Sequence, residues 1–429
     1  MDYRQAVSYL FDLEKFGIKL GLENITRFLD RIGNPHNRFP AIHVAGTNGK
    51  GSTAAILEAL LTSAGFKVGL YTSPHLVDFR ERIRIGKRPV EREYVTEFVS
   101  SKKDLIEEIP VTFFEVVSAL AFSYFAEQRV NIAVCETGLG GRLDATNVLK
   151  TEVSIITNVD LEHTDHLGSS VSEIAKEKAG IIKEGVPTVT ASSNFEVKRV
   201  LRNTCRKRKA PLVSIYDEAQ WLVKEVGLKG SRLDVFTRSN KYVNLRLNLV
   251  GRHQLENAMC ALLAIEILQD NGWRVPKRAV REGLAQVVWR GRLELLSERP
   301  TVLADVAHNP PAMKIIKENL QELFPEKRFL VVLGILSNKN YVEMLNEVGS
   351  FAKVIYLTKP ITERAADPEL LAREVSKQGS NFKVIPVVKE AYKYALSQAR
   401  LEEVVLVTGS HYTVGEVMAA LSQEVGNRG

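Results

Sequence analysis

The sequence predicts an α/β protein of two doubly wound units, the first with a mostly parallel sheet plus a small antiparallel sheet, the second Rossmann-like. Three observations carry this. Short β-branched, apolar runs alternate with amphipathic helical stretches almost throughout, the rhythm of a parallel sheet covered by helices on both faces. The rhythm pauses at the polar, Pro-ended tetrapeptide "SERP" (297–300) and then restarts. The 429 residues also exceed one ordinary domain. The expected division is 1–296 and 297–429, with "SERP" as the linker.

Element by element, "AIHVA" (41–45), "KVGLY" (67–71), "VNIAVCE" (130–136) and "VSIITNV" (153–159) are apolar at successive positions, as strands buried on both faces are. Between them lie helical patterns such as "STAAILEALLTSAG" and "TFFEVVSALAFSYFAEQ". Residues 231–251 instead alternate polar and apolar around "RSNK", which predicts an antiparallel hairpin. After the linker, "VLADVA", "RFLVVLG", "KVIYLT", "KVIPV" and "EVVLVTG" each precede a helical stretch, so a second doubly wound unit is expected.

Bulk composition narrows the class. The chain is 45% hydrophobic and 25% charged, with no apolar run long enough to cross a bilayer. Its N-terminus, "MDYRQAVSYLFDLEKFG", lacks the order of a signal peptide. Three cysteines without a CxxC argue against a disulfide framework or a zinc site, and fit a reducing cytoplasm. The net charge of +7 suggests anionic ligands. The densest basic run, "KRVLRNTCRKRKAP" (198–211), has no interleaved aromatics and reads as the solvated face of a helix, not a nucleic-acid surface.

Chemistry first appears at "HVAGTNGKGST" (43–53), between a strand and a helix. Compared with GxxxxGK[ST], Val44 stands where the first glycine belongs, and Ser52 and Thr53 arrive one and two positions late. The physics survives the shift. Gly46, Gly49 and Gly51 let backbone N–H groups face a phosphate, Lys50 supplies charge, and the helix beginning near Ser52 presents its positive end. Thr47 to Ser52 are therefore the expected nucleotide loop of a P-loop-type ATPase unit. A second cluster, "VDLEHTDHLG" (159–168), crowds acids and histidines just after a strand, where open α/β sheets place ligands, and Glu136 ends another strand before a glycine-rich turn.

The variant loop GTNGKG[ST] resembles that of the folylpolyglutamate synthase/dihydrofolate synthase family of the Mur-ligase superfamily. The likeness continues in register through "GLENITRFLDRIGNP", "YTSPHL", "TFFEVVSALAF", "ETGLGGRLDATN", "LEHTDHLG", "KEKAGI", "GRHQLENA", "GRLE", "DVAHNP" and "TGSHYTVGE". The resemblance implies ATP contacts at Thr47, Asn48, Gly49, Lys50, Gly51, Ser52, Asn257, Arg292 and Asp305. It implies magnesium contacts at Ser73, Glu136 and His163, with a carbamylated Lys178 helping to hold a second ion, and it allows a monovalent cation such as K+. Glu162 departs from the family, which commonly has Asp there. The pterin ring is expected against Thr112, Phe113, Phe114, Glu115, Leu143, Asp144 and Ala145, with Phe114 the favoured aromatic contact. His308 and Ser410 are implied at the amino-acid site. His308, Lys50 and Lys178 are the expected catalytic residues, and no role is assigned to His411, where the family often has Leu.

The implied reaction is ATP-dependent ligation of L-glutamate to dihydropteroate, or to the terminal glutamate of folates, through an acyl phosphate. The expected partners are these small molecules, with no nucleic acid and no membrane, and the family is mostly monomeric. Chain-extending enzymes retain similar motifs, so one activity or two stays open. Peptidoglycan-precursor ligases share the ATP chemistry but usually carry an N-terminal domain for the UDP-sugar, whereas here the phosphate loop starts within the first fifty residues. An ATP-hydrolysing nucleic-acid handler would instead use the basic helix.

Overall fold

The computed structural model describes residues 1–17 and 21–426. Seventeen strands run in chain order: β1 (Ala41–Ala45), β2 (Val68–Tyr71), β3 (Ile83–Ile85), β4 (Arg88–Pro89), β5 (Ile132–Glu136), β6 (Thr151–Ile156), β7 (Thr188–Thr190), β8 (Leu212–Ser214), β9 (Ala219–Gly227), β10 (Gly230–Thr237), β11 (Lys241–Leu247), β12 (Glu294–Glu298), β13 (Thr301–Ala304), β14 (Arg328–Leu333), β15 (Ala352–Lys359), β16 (Phe382–Val387) and β17 (Glu403–Thr408). They form an eight-stranded sheet in the order β4-β3-β2-β5-β1-β6-β7-β8, a three-stranded sheet β11-β10-β9, and a six-stranded sheet β12-β13-β17-β14-β15-β16.

The first sheet is parallel from β2 to β8 and antiparallel at the β3–β4 edge. Its central strand, β1, is fully buried and lies between β5 and β6, with Val44 level with Glu136 and Ala45 level with Ile156. This register brings the ends of all three strands, and the loops that follow them, to one edge. Helices Lys50–Ser63, His253–Asp270 and Lys277–Gln286 pack on one face together with the three-stranded sheet. Helices Tyr3–Asp12, Glu23–Arg31, Arg92–Glu108 and Phe113–Glu127 cover the other. Local chemistry sets where helices begin. Thr112 caps Phe113–Glu127, with its hydroxyl accepting from the Glu115 amide while the Glu115 carboxylate accepts from the Thr112 amide.

The antiparallel sheet has one strand more than the expected hairpin: β9 joins it along the whole length of β10. In the six-stranded sheet all pairings are parallel except β12 with β13. That exception corrects the reading of "SERP". Ser297 pairs with Val302 and Glu298 with Thr301, so the tetrapeptide supplies the tight turn of a β-hairpin and is not a linker. Its composition suits either role, because a turn and a linker draw on the same polar and Pro-rich vocabulary. The basic run at 198–211 forms most of helix Phe195–Lys207, which buries Val197, Val200, Leu201 and Cys205 and leaves its arginines and lysines outward. No helix among the described residues is long and apolar enough to cross a membrane.

Candidate active site

The strand ends of both large sheets converge on one cavity of about 630 Å3. Its wall includes Gly46 to Ser52 from the turn after β1, Ser73 after β2, Glu136 to Gly140 after β5, and Glu162 and His163 after β6. From the six-stranded sheet come Asp305 to His308 after β13, Asn338 and Lys339 after β14, and Ser410 to Tyr412 after β17. All the residues implied by the motifs line this one space: Thr47 to Ser52, Ser73, Thr112 to Glu115, Glu136, Leu143 to Ala145, His163, Lys178, Asn257, Arg292, Asp305, His308 and Ser410. The volume lies in the range of sites that enclose a small-molecule ligand.

The phosphate loop is held from three sides. Gly46 has φ +153°, and a Cβ there would lie only 1.8 Å from the Thr157 hydroxyl; Gly49 has φ +86°, and a Cβ there would meet the Asn257 side chain at 2.3 Å. Only glycine fits either position. The Asn48 amide donates to the Asn158 side chain (2.8 Å), and Thr47 exchanges hydrogen bonds with the Asp160 backbone (3.1 and 3.2 Å). Lys50 curls over the turn, its Nζ donating to the carbonyls of Gly46 and Thr47 at 3.0 and 3.1 Å. Lys178, 3% exposed, donates to the same Gly46 carbonyl at 2.8 Å. Burial, reinforced by the neighbouring Lys50 charge, lowers its pKa to about 7.

Glu162 is the electrostatic hub. Its Oε1 accepts from Asn309 (3.2 Å) and lies 3.4 Å from His308 Nε2, 3.5 Å from Lys339 Nζ and 3.8 Å from His163 Nε2. Burial works to raise its pKa, but hydrogen bonding and charge from His308, with Lys50 and Lys339, hold it well below the ordinary carboxylate value. Asn309 also exchanges hydrogen bonds with Asn48, so the second sheet grips the phosphate loop directly. The longer Glu in place of a family Asp is thus one of the residues through which the two halves meet. His411 stacks beside His308, with ring centroids 5.3 Å apart. Asp165 and His166, crowded into the same sequence cluster, are exposed and absent from the cavity wall.

The acids and hydroxyls expected at the pterin and glutamate positions are partly occupied in building the wall. Asp144 accepts from the amides of Gly138 and Leu139 at 2.9 and 2.8 Å, and from Thr146. Glu115 accepts from the Thr112 amide and hydroxyl, and the Ser410 hydroxyl from the Thr413 amide at 3.1 Å. Asp305 accepts from the amides of Leu293 and Ala307 at 2.9 and 2.8 Å. Phe113 is the more buried of the aromatic pair, stacked on Phe11 at 5.1 Å, while Phe114 lies 5.9 Å from Tyr71 and against Gly138. Sequence reasoning missed Lys339, Asn309 and Arg82. Lys339 and Asn309 follow strand ends, a positional signal that could have flagged them; Arg82 lies in a loop with no such mark.

A cation fits this site only as a partly protein-held ion. Among the described residues, no group of three or more His, Cys, Asp or Glu side chains could enclose a metal. The donors available are hard oxygens: the Glu136 carboxylate, 5% exposed with one backbone hydrogen bond from Ser73 at 3.3 Å, and the Ser73 hydroxyl beside it. That suits magnesium, which keeps several waters and phosphate oxygens in its shell. In its unmodified form Lys178 supports the loop carbonyl and is no ligand.

Residues 44–265 match the Mur ligase middle domain, and residues 291–411 match the Mur ligase glutamate ligase domain. The chain is 36% identical to the dihydrofolate synthase/folylpolyglutamate synthase of Bacillus subtilis, covering 98% of this chain and 99% of that protein. It is 32% identical to the enzyme of the same name from Escherichia coli, over 97% and 94% of the two chains. Its fold is similar to Escherichia coli FolC solved in complex with DHPP and ADP, with a TM-score of 0.89 at 32% identity over 98% of each chain. Mycobacterium tuberculosis folylpolyglutamate synthase, solved with ADP and AMPPCP, gives a TM-score of 0.90 at 30% identity over 98% of this chain and 99% of that one. With a phosphate loop, a carboxylate-lined crevice and a second sheet closing over both, the chain belongs to the dihydrofolate synthase/folylpolyglutamate synthase family of Mur ligases and is an ATP-dependent acid–amino-acid ligase.

Proposed function

We propose that this chain adds L-glutamate both to dihydropteroate and to the terminal glutamate of folates, acting in the cytoplasm as a monomer, with two working units that divide before β12 and not at 296/297, a boundary that would cut that strand. The observation that carries the reading is the single cavity that joins Gly46–Ser52, Phe113–Phe114, Glu136 and His308. Each reactant class finds its chemistry on one wall.

ATP binds with its phosphates over the amides of residues 47–52, with Asn257, Arg292 and Asp305 fixing the remainder of the nucleotide. Lys50 and Arg292 neutralise charge as the outermost phosphoryl group passes to the acceptor carboxylate, forming an acyl phosphate and ADP. Ser73, Glu136 and His163 would hold magnesium, and a carbamylated Lys178 would help to hold a second ion; the metal would supply Lewis-acid charge at those phosphates. The glutamate amine then attacks the acyl carbon; the amide forms, phosphate leaves, and the amine's proton passes to a base. His308, whose Nδ1–H donates to the Val306 carbonyl at 3.0 Å, and Ser410 line the wall where that amino acid docks. The enclosing second sheet excludes water that would hydrolyse the acyl phosphate. Lys178 has the setting for carbamylation: its pKa of about 7 leaves much of the amine neutral and nucleophilic toward carbon dioxide.

Phosphate release that requires both glutamate and a folate or dihydropteroate, and ignores RNA and DNA, is the expected result. Release stimulated by nucleic acid and indifferent to glutamate would falsify the ligase mechanism. Competing the two acceptors for labelled glutamate in one assay reads whether both are used. A narrower prediction concerns the pterin wall. A Cβ at Gly138 would sit 2.5 Å from the Phe114 ring, so Gly138→Ala must displace that ring. The KM for the acceptor should rise about tenfold while the KM for ATP moves less than about threefold; equal rises would remove Phe114 from the acceptor site.

A further inference from the structure

Arg82 is the buried cation of this cavity that the reaction above leaves without a task. Lys50 is held by two loop carbonyls, Lys178 by one, and Lys339 by Glu162. Arg292 has Asp305 and Glu136 as its favourable charges, and Arg364 is exposed. Arg82 is 6% exposed, lines the cavity, and makes no ion pair with an acid among the described residues. Burial is the largest influence on its charge, and the acids near enough to favour it, Glu14 and Glu136, form no ion pair with it.

Its surroundings are those of a preorganised anion receiver. The turn that carries it, Phe79–Arg82, is capped by Asp78 and Glu81, and the Glu81 carboxylate accepts from the amides of Leu76, Val77 and Asp78 at 2.8, 3.1 and 2.9 Å. The Arg82 carbonyl accepts from the Thr72 amide at 3.0 Å. Its Nε donates to His75 Nδ1 at 2.9 Å, and its guanidinium lies over the Phe113 ring, 5.2 Å from the centroid. With Nε committed and the guanidinium carbon over an aromatic ring, the two terminal nitrogens remain as a fork. Guanidinium keeps its charge even when buried, and that fork matches a carboxylate. A buried charge without an acid partner is costly and is retained where a ligand supplies the counter-charge.

A glutamylated acceptor ends in two carboxylates. One is phosphorylated and coupled; the other stays ionised inside the closed cavity and needs a cation of its own. We propose that Arg82 is the subsite for the non-reacting carboxylate of the acceptor's terminal glutamate. This rests on the function proposed above. Phe113, under the guanidinium, belongs to the wall assigned to the acceptor's pterin ring, and Glu136 and Tyr412 lie near enough to act on the Arg82 charge, which sets Arg82 between that ring and the phosphate end of the cavity.

The test pairs the enzyme with two acceptors: a monoglutamyl folate, and the same compound with its non-reacting carboxylate converted to a carboxamide. Wild type should prefer the free acid by about 30-fold in kcat/KM. Arg82→Gln should shrink the preference to about threefold or less, and Arg82→Lys, which keeps charge without the fork, should fall between. The ratio does not depend on how much of a variant is folded. Where turnover is too slow to measure, equilibrium binding of both acceptors beside a non-hydrolysable ATP analogue reads the same preference. A wild-type-sized preference in Arg82→Gln overturns the assignment. So does a raised KM for free glutamate with acceptor preference unchanged, which would give Arg82 to the incoming amino acid. A wild-type enzyme that ligates glutamate to neither acceptor overturns the underlying function, and the subsite with it.

Discussion

Replacing Lys50 by alanine should lower kcat/KM for ATP by about a thousandfold, the loss expected when a charge aimed at a transferring phosphoryl group is removed from a dry site. Its present hydrogen bonds, to the Gly46 and Thr47 carbonyls, pin the ammonium over the turn where the phosphates would lie. Those bonds are local, so the variant should lose no more than about 1 kcal/mol of stability. Steady-state phosphate release and a denaturant melt separate the two effects. A loss of activity under tenfold would reduce Lys50 to a support for the loop.

Lys178→Met should move activity and stability in opposite directions at neutral pH. The lysine's pKa falls from 10.5 to about 7 on folding, chiefly through burial. Between those values the unfolded chain binds more protons than the folded one, so wild-type stability rises with pH across that window, and the folded state carries the full penalty below about pH 7. From pH 7 to pH 9 this group alone contributes about 2 kcal/mol of increase, a slope that the methionine variant lacks. The variant should therefore unfold at higher denaturant than wild type at pH 7, with the gap closing toward pH 9. Its ligase activity should fall by about a hundredfold or more, because the Gly46 carbonyl keeps only Lys50 of its two lysine partners and the amine that could be carbamylated is gone. Melts at the two pH values check the first part. If bicarbonate raises wild-type activity and abolishes the pH slope, the carbamate is the working form. A variant less stable than wild type at pH 7 would mean that the hydrogen bond to Gly46 outweighs the cost of burying the amine.

What was legible without coordinates was whatever is written in consecutive residues. The strand cores read correctly because burial on both faces demands unbroken apolar runs, as in β1 and β5. The strand–turn–helix order around residues 43–53 read correctly because its glycines, lysine and following helix are contiguous. Reading failed where one composition serves two geometries, as "SERP" did in forming the β12–β13 turn.

By itself the sequence determined the α/β class, the glycine-rich turn between a strand and a helix at 43–53 and, through motifs in register, the family. Each of these depends on neighbours a few positions apart, where backbone geometry leaves few choices. The tertiary structure alone decided that Lys178 reaches Gly46 across 132 positions, that Glu162 meets Lys339 across 177, and that Arg82 is buried with no ion pair to an acid among the described residues. Such pairings are set by how two sheets dock and what that docking removes from water. Burial then converts ordinary side chains into a lysine near neutrality and an arginine awaiting an anion.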